Sequence, residues 1–294
     1  MTHDWRAEFN RLEGAYAPQT LRSYHSDLRA YETWCAQSGA EPFPASAEQV
    51  CAFLEDQGRS VTASTVRRRL YAIRKAHRLL RLPDPTQDEE INLTLRRVRR
   101  QKHIRPTQAK GLTHDYLLRF LDSEPDTPTG LRNRAMLSLG YDLLTRRSEL
   151  VALRDADVAP CPDGTYRFLI RRSKSDPFGA GRVAFCSPRT AGLLDAWRDW
   201  RGPNGWLFCP IYQDKPVDRS LSDTTVKRVI RAAAKRCCAP EIASTFSGHS
   251  MRVGAAQDLL KRGLDTAGIM RAGGWKSVNV LARYLENGDH NPWL

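Results

Sequence analysis

No CxxC pair and no Cys/His metal-ligand spacing occurs in this 294-residue chain, although it holds seven cysteines: Cys35, Cys51, Cys161, Cys186, Cys209, Cys237 and Cys238. A zinc-stapled scaffold is therefore excluded, and the adjacent pair Cys237-Cys238 suits neither a metal nor an ordinary disulfide. The thiols read as buried and reduced. No apolar run approaches the ~20 residues that cross a bilayer, and MTHDWRAEFN has no apolar signal region. A cytoplasmic protein without a membrane partner is expected. No acidic cluster suits two-metal catalysis, and there is neither an internal repeat nor a low-complexity tract. Acid is also short overall. Asp and Glu number 33 against 46 Lys and Arg, a formal charge of +13 with a pI near 9.7. A surplus of that size favours a polyanion, because neutralising phosphates releases condensed counterions.

The first part of the chain reads as all helical. PQTLRSYHSDLRAYETWC (18–35) repeats Leu21, Tyr24, Leu28, Tyr31 and Cys35 at a helical period behind Pro18. Ser46 and Gln49 form the pattern of a capping box. In residues 62–82, Val66, Leu70, Ile73, His77 and Leu80 share a face, and Arg67, Arg68, Arg69, Arg74, Lys75, Arg78 and Arg81 fill the others. INLTLRRVRRQKHIR (91–105) adds Arg96, Arg97, Arg99, Arg100 and Lys102. Residues 59–110 hold fifteen Lys or Arg and four acids, Asp84, Asp88, Glu89 and Glu90. Pairing within the helices needs both signs at i,i+4, so these cations are expected to face DNA.

PTQAKG (106–111) reads as a linker between residues 1–105 and residues 112–294. Thr113 is expected to cap a helix, and LRNRAMLSLGYDLLTRRSELVAL (131–153) to form a buried one around Ala135, Leu137, Leu139, Leu143 and Leu144. TYRFLIRRSKSDPFGAGRVAFCS (165–187) reads as two strands about a Pro/Gly turn, because Tyr166, Phe168 and Ile170 alternate with Arg167, Leu169 and Arg171. Thr190–Trp200 and Asp223–Cys237 are further helices, the second carrying the basic positions Lys227, Arg228 and Arg231.

Taken singly, Arg146, Glu149, Lys174, His249, Arg252, Trp275 and Tyr284 would be a helix boundary, a turn lysine, surface polar residues and core aromatics. Together they supply guanidiniums, an imidazole, an ammonium and an indole N–H, the donors that a phosphodiester transition state needs, beside a phenol able to act as nucleophile.

The ordered set Arg146…Glu149…Lys174…His249-x-x-Arg252…Trp275…Tyr284, in the contexts YDLLTRRSELVAL, GHSMRVGAA and IMRAGGW, resembles the signature of the tyrosine site-specific recombinases of the phage integrase family. The likeness extends over nearly the whole chain. Arg147 stands where the family usually has an apolar residue, so the choice of Arg146 rests on the spacing to Glu149. The resemblance implies a mainly helical chain with a small β-hairpin or sheet in its C-terminal domain. It also implies a core-binding domain (1–105) and a catalytic domain (112–294) that form a C-shaped clamp on DNA. Tyr284 would form a 3′-phosphotyrosyl link, Arg146 and Arg252 would hold the phosphate, and His249 and Trp275 would add hydrogen bonds. Lys174 would protonate the leaving oxygen, and Glu149 would orient its neighbours. No cofactor or metal is expected. The expected partner is duplex DNA with an inverted-repeat site, bound by a homodimer, with a homotetramer in the synapse, on nucleoid or plasmid DNA. Type IB topoisomerases and telomere resolvases use similar residues without two-site exchange, and a DNA-binding protein on an inactive recombinase fold remains the non-enzymatic alternative.

Overall fold

Side-chain caps set most helix starts in the first of two units, Met1–Pro106. In the computed structural model, which describes residues 4–102, 108–171 and 179–286, Asp4 caps α1 (Trp5–Asn10) and Pro18 opens α2 (Pro18–Gln37). Ser46, Thr62 and Asp88 cap α3 (Ala47–Ser60), α4 (Ala63–Leu79) and α5 (Glu89–Gln101). Each cap oxygen accepts a backbone N–H that a helix start leaves unpaired, and Pro18 has no N–H to satisfy. The capping box at Ser46 is only half formed. Ser46 Oγ accepts from the Gln49 N–H at 3.2 Å, but Gln49 Nε2 donates to Tyr31 Oη and to the Glu41 carbonyl, both at 2.9 Å. Leu28, Tyr31, Cys35, Val66, Leu70 and Ile73 join Phe53 and Leu54 in this unit's core. His77 is fully buried there: Nε2 accepts from the Ala45 N–H at 3.1 Å and Nδ1–H donates to the Ile73 carbonyl at 2.9 Å. That pairing fixes the neutral tautomer, and burial pushes the imidazole pKa down.

The basic faces of α4 and α5 sort into two groups. Arg68 holds the buried Asp27 of α2 with its fork, at 2.7 and 2.9 Å, and Arg69 lies 3.7 Å from the same carboxylate. Arg74 binds Thr86, Lys75 binds Tyr16, Arg78 binds Asp84 at 3.1 Å, and Arg67 binds Tyr71. The local count of acids therefore understated the pairing, because Asp27 lies outside the stretch. On α5, Arg97 pairs with Glu90 at 3.6 Å and Lys102 with the Arg59 carbonyl. Arg96, Arg99 and Arg100 are exposed, and their side chains make neither a hydrogen bond nor an ion pair among the described residues.

The second unit, Thr107–Leu294, contains α6 (His114–Asp122), α7 (Pro128–Asp142), α8 (Arg147–Val151), β1 (Val158–Pro160), β2 (Tyr166–Ile170), β3 (Arg182–Phe185), α9 (Pro188–Arg201), β4 (Ile211–Tyr212), β5 (Lys215–Pro216) and α10 (Asp223–Cys237), followed by α11 (Pro240–Thr245), α12 (Ser250–Lys261), α13 (Thr266–Gly273) and α14 (Val278–Leu285). The chain is thus mainly helical with small antiparallel sheets, β1-β2-β3 and β4-β5. No helix among the described residues is long and apolar enough to cross a membrane.

Three local expectations change. Residues 110–112 belong to this unit's packing: the Lys110 N–H donates to the Thr245 carbonyl and the Leu112 N–H to the Ser250 carbonyl. Thr113 stands at the start of α6 but makes no side-chain cap; Asp258 on α12 accepts the His114 N–H instead, at 2.7 Å. The helix read over 131–153 is two helices, broken where Leu144 takes a positive φ of 49°. The strand pair 166–170 and 182–185 forms as read, with Phe168 opposite Ala184 and Ile170 opposite Arg182, and β1 is an added third strand. Lys174 lies outside the described residues.

Candidate active site

The site is built where α7 ends. A helix leaves its last carbonyls without intrahelical donors, and here two arginines from distant elements supply them. Arg252 Nη1, from α12, donates to the Leu144 carbonyl, and Arg182 Nη2, from β3, donates to the Leu143 carbonyl at 2.7 Å. Immediately beyond the break, Arg146 occupies the N-cap position of α8 and Glu149 its third residue. Glu149 Oε2 accepts the Arg146 N–H at 3.1 Å while Oε1 accepts Arg146 Nη1 at 2.6 Å. Arg182 Nη2 stands 3.9 Å from the same carboxylate, which is buried. Spacing of three residues at a helix start therefore makes Glu149 an anchor for the Arg146 side chain.

Arg146 and Arg147 part company here. Arg147 runs along Gly248, where an added Cβ would fall 2.1 Å from its Cδ, and its Nη2 lies 3.7 Å from Asp223. Arg146 is the one that joins Glu149.

Arg252 is 1% exposed. Its guanidinium carbon lies 3.8 Å from the centroid of the Trp275 ring and 6.0 Å from that of Tyr284, and the two rings meet edge to face at 5.3 Å. Burial, followed by the charge of Arg146, pushes the Arg252 pKa down to about 10, with Glu149 opposing. It stays protonated at neutral pH. The IMRAGGW motif explains how the indole arrives. Gly273 leaves room for it, since a Cβ there would lie 1.8 Å from the Trp275 ring. Gly274 closes α13 at φ 67°, where a Cβ would lie 2.9 Å from Arg182 Cδ. Tyr284 on α14 is half-buried, and its carbonyl accepts Gln257 Nε2 at 3.2 Å.

Four buried donors in these segments have no hydrogen-bond partner among the described residues: Arg252 Nε, Arg252 Nη2, Trp275 Nε1 and Thr145 Oγ1. Buried polar groups are nearly always satisfied, and leaving one unpaired costs about 1–3 kcal/mol. Among the described residues, three guanidiniums, Arg146, Arg182 and Arg252, surround one carboxylate, Glu149. The arrangement suits an anion that gains charge as it reacts.

Five of the seven residues singled out from the sequence are thus gathered: Arg146, Glu149, Arg252, Trp275 and Tyr284. His249 stands exposed at the N-cap of α12, three residues before Arg252. On α10, Arg228 and Arg231 are exposed and Lys227 half-buried. Arg182 and Thr145 were not anticipated. No sequence signal pointed to Arg182, because strand alternation in RVAF would turn the apolar Val183 and Phe185 inward, whereas both are exposed and Ala184 is buried.

The phage integrase family matches residues 110–290, and the N-terminal SAM-like domain of phage integrases matches residues 8–82. The chain is 28% identical to recombinase cre of Escherichia phage P1 over 94% of its length and 86% of the relative's. It is 30% identical to an integrase/recombinase xerD homolog of Selenomonas ruminantium over 95% and 84%. The fold is similar to that of the Tn1549 transposon integrase in complex with transposon right end DNA, with a TM-score of 0.67 at 14% identity over 97% and 94% of the two chains.

Proposed function

The chain belongs to the phage integrase family and is a tyrosine site-specific recombinase, and from that premise we propose that it cuts and rejoins duplex DNA through a covalent link to Tyr284, without metal or ATP. The Tyr284 oxygen attacks the scissile phosphorus, the bond from phosphorus to the 5′-oxygen breaks, and a 3′-phosphotyrosyl enzyme and a 5′-hydroxyl strand result. The new ester conserves the energy of the broken one, so attack by the 5′-hydroxyl of another strand restores DNA and frees the phenol. Exchange of one strand pair gives a Holliday junction, and exchange of the second resolves it.

Each side chain has a role in that step. Arg146 and Arg252 hold the non-bridging oxygens, and their guanidinium charges meet the second negative charge of the pentacoordinate phosphorus. Trp275 Nε1 adds a hydrogen bond. His249 accepts the phenol's proton and then donates to the same phosphate, Lys174 protonates the 5′-oxygen as it leaves, and Glu149 orients Arg146. Arg96, Arg99 and Arg100 on the first unit and Arg228 and Arg231 on the second contact the DNA backbone. Two copies bind one inverted-repeat site and four form the synapse, since a symmetric site calls for a symmetric assembly.

The observation that carries this reading is the set of buried donors on Arg252 and Trp275, beside Tyr284, that have no partner among the described residues. The test is covalent trapping. The protein is incubated, without added metal, with fragments of its own replicon carrying nicks or 5′-bridging phosphorothiolates, and a denaturant-resistant protein–DNA adduct is sought. An adduct abolished by Tyr284→Phe is expected. Tight DNA binding without an adduct on any fragment would place the chain among inactive recombinase folds, and an adduct without exchange between two sites would favour a topoisomerase-like activity.

A further inference from the structure

Arg182 is an arginine where a strand would ordinarily place an apolar residue. On β3 the apolar Val183 and Phe185 are 55% and 61% exposed, while the Arg182 side chain is 15% exposed. Burying a guanidinium is costly unless its donors are used, and burial holds this one below its ordinary pKa. Its donors are used on main chain: Nη2 on the Leu143 carbonyl at the end of α7 and Nη1 on the Ala272 carbonyl near the end of α13, each at 2.7 Å. Nη2 also stands 3.9 Å from Glu149. Gly274, in its left-handed conformation, leaves the space that the Arg182 side chain occupies.

We propose that Arg182 is a positioning residue that ties the C-terminal end of α7 to the C-terminal end of α13, and so fixes Arg146 and Trp275 about Arg252. The inference rests on the functional reading above. Two carbonyl contacts at opposite ends of one rigid fork set the spacing between the segment 143–146, which carries Arg146, and the segment 272–275, which carries Trp275. Arg252 is fixed from both sides by that spacing, because it donates to the Leu144 carbonyl and stacks on the Trp275 ring. Arg182 itself touches protein rather than phosphate. Lysine keeps the charge but cannot supply two diverging N–H groups in one plane.

The test compares wild type with Arg182→Gln and Arg182→Lys in the full chain, first by hydrogen exchange without DNA. Faster exchange confined to residues 143–150 and 270–276 is expected for both variants; unchanged exchange there, or a rise across the whole second unit, would overturn the proposal. The second arm is single-turnover cleavage of the suicide duplex that traps the wild-type protein. A fall of about 100-fold for Arg182→Gln is expected, with DNA affinity within about threefold, since misplacement of about 1 Å costs on that order. Arg182→Lys is expected to retain less than about a tenth of the wild-type rate, and full activity would overturn the role of the fork. In a Glu149→Gln background the Arg182→Gln effect is expected to shrink, as for residues that act as one unit. Should Arg182→Gln not fold, Arg182→Lys carries both arms. A wild-type chain that cleaves no duplex would sink the recombinase mechanism, and the exchange arm would still decide the brace.

Discussion

Arg252 and Trp275 are the residues at which the proposed mechanism separates binding from chemistry. Both are buried, both carry donors without a partner among the described residues, and the guanidinium lies 3.8 Å above the indole. Arg252→Lys keeps a positive charge but loses the planar fork, so cleavage in the trapping assay is expected to fall by about 100- to 1000-fold, as when a transition-state donor is removed. Trp275→Phe keeps an aromatic surface under Arg252 and removes only Nε1–H. A loss of about tenfold or more in cleavage rate, with unchanged DNA affinity in a gel-shift titration, is expected from one neutral donor. At this scale the sequence was informative about type and order: Arg146, Glu149, Arg252, Trp275 and Tyr284 could be named, and the three-residue step to Glu149 already singled out Arg146 over Arg147. It was silent about Arg182, which pairs with groups 33 and more positions away, and about Thr145, whose hydroxyl is buried.

Elements approach closely here because glycines let them. In GHSMRVGAA, Gly254 faces the chain entering α6: a Cβ there would sit 1.9 Å from the Leu112 carbonyl oxygen. Gly254→Ala must push α12 away from residues 110–113, and a loss of about 1–3 kcal/mol is expected, as for overpacking elsewhere, read as a lower urea midpoint of the second unit. The first unit has a different sensitivity. His77 is neutral in the fold, with Nε2 accepting from Ala45, and protonation would set a donor against a donor. Its folded pKa lies below the ordinary 6.5, so the unfolded chain takes up the proton first. The stabilisation is complete above about pH 6.5 and is lost as pH falls through the folded pKa. Urea midpoints of the wild type should therefore decline between pH 7.5 and 5, and those of His77→Gln should decline less; parallel declines would remove His77 as the cause.

For the whole molecule the governing quantity is the charge of +13. DNA affinity is expected to fall steeply and linearly on a log–log salt plot, and replacing Arg96, Arg99 and Arg100 together with Gln should flatten the slope by about 0.9 for each phosphate that is no longer neutralised. Arg68→Gln should act differently. It leaves Asp27 buried with only Arg69 at 3.7 Å, so stability should fall while the salt slope changes little. The linear sequence by itself determined the helical character of the first unit, the strand pair within 165–187 and the basic surplus, because these depend on composition, periodicity and local spacing, and the ordered set from Arg146 to Tyr284 was legible through its resemblance to a family signature. Only the tertiary structure decided which cations are engaged inside the protein and that Arg182 joins two helix ends. Those outcomes depend on carbonyls and carboxylates brought together from distant segments, and no local pattern encodes them.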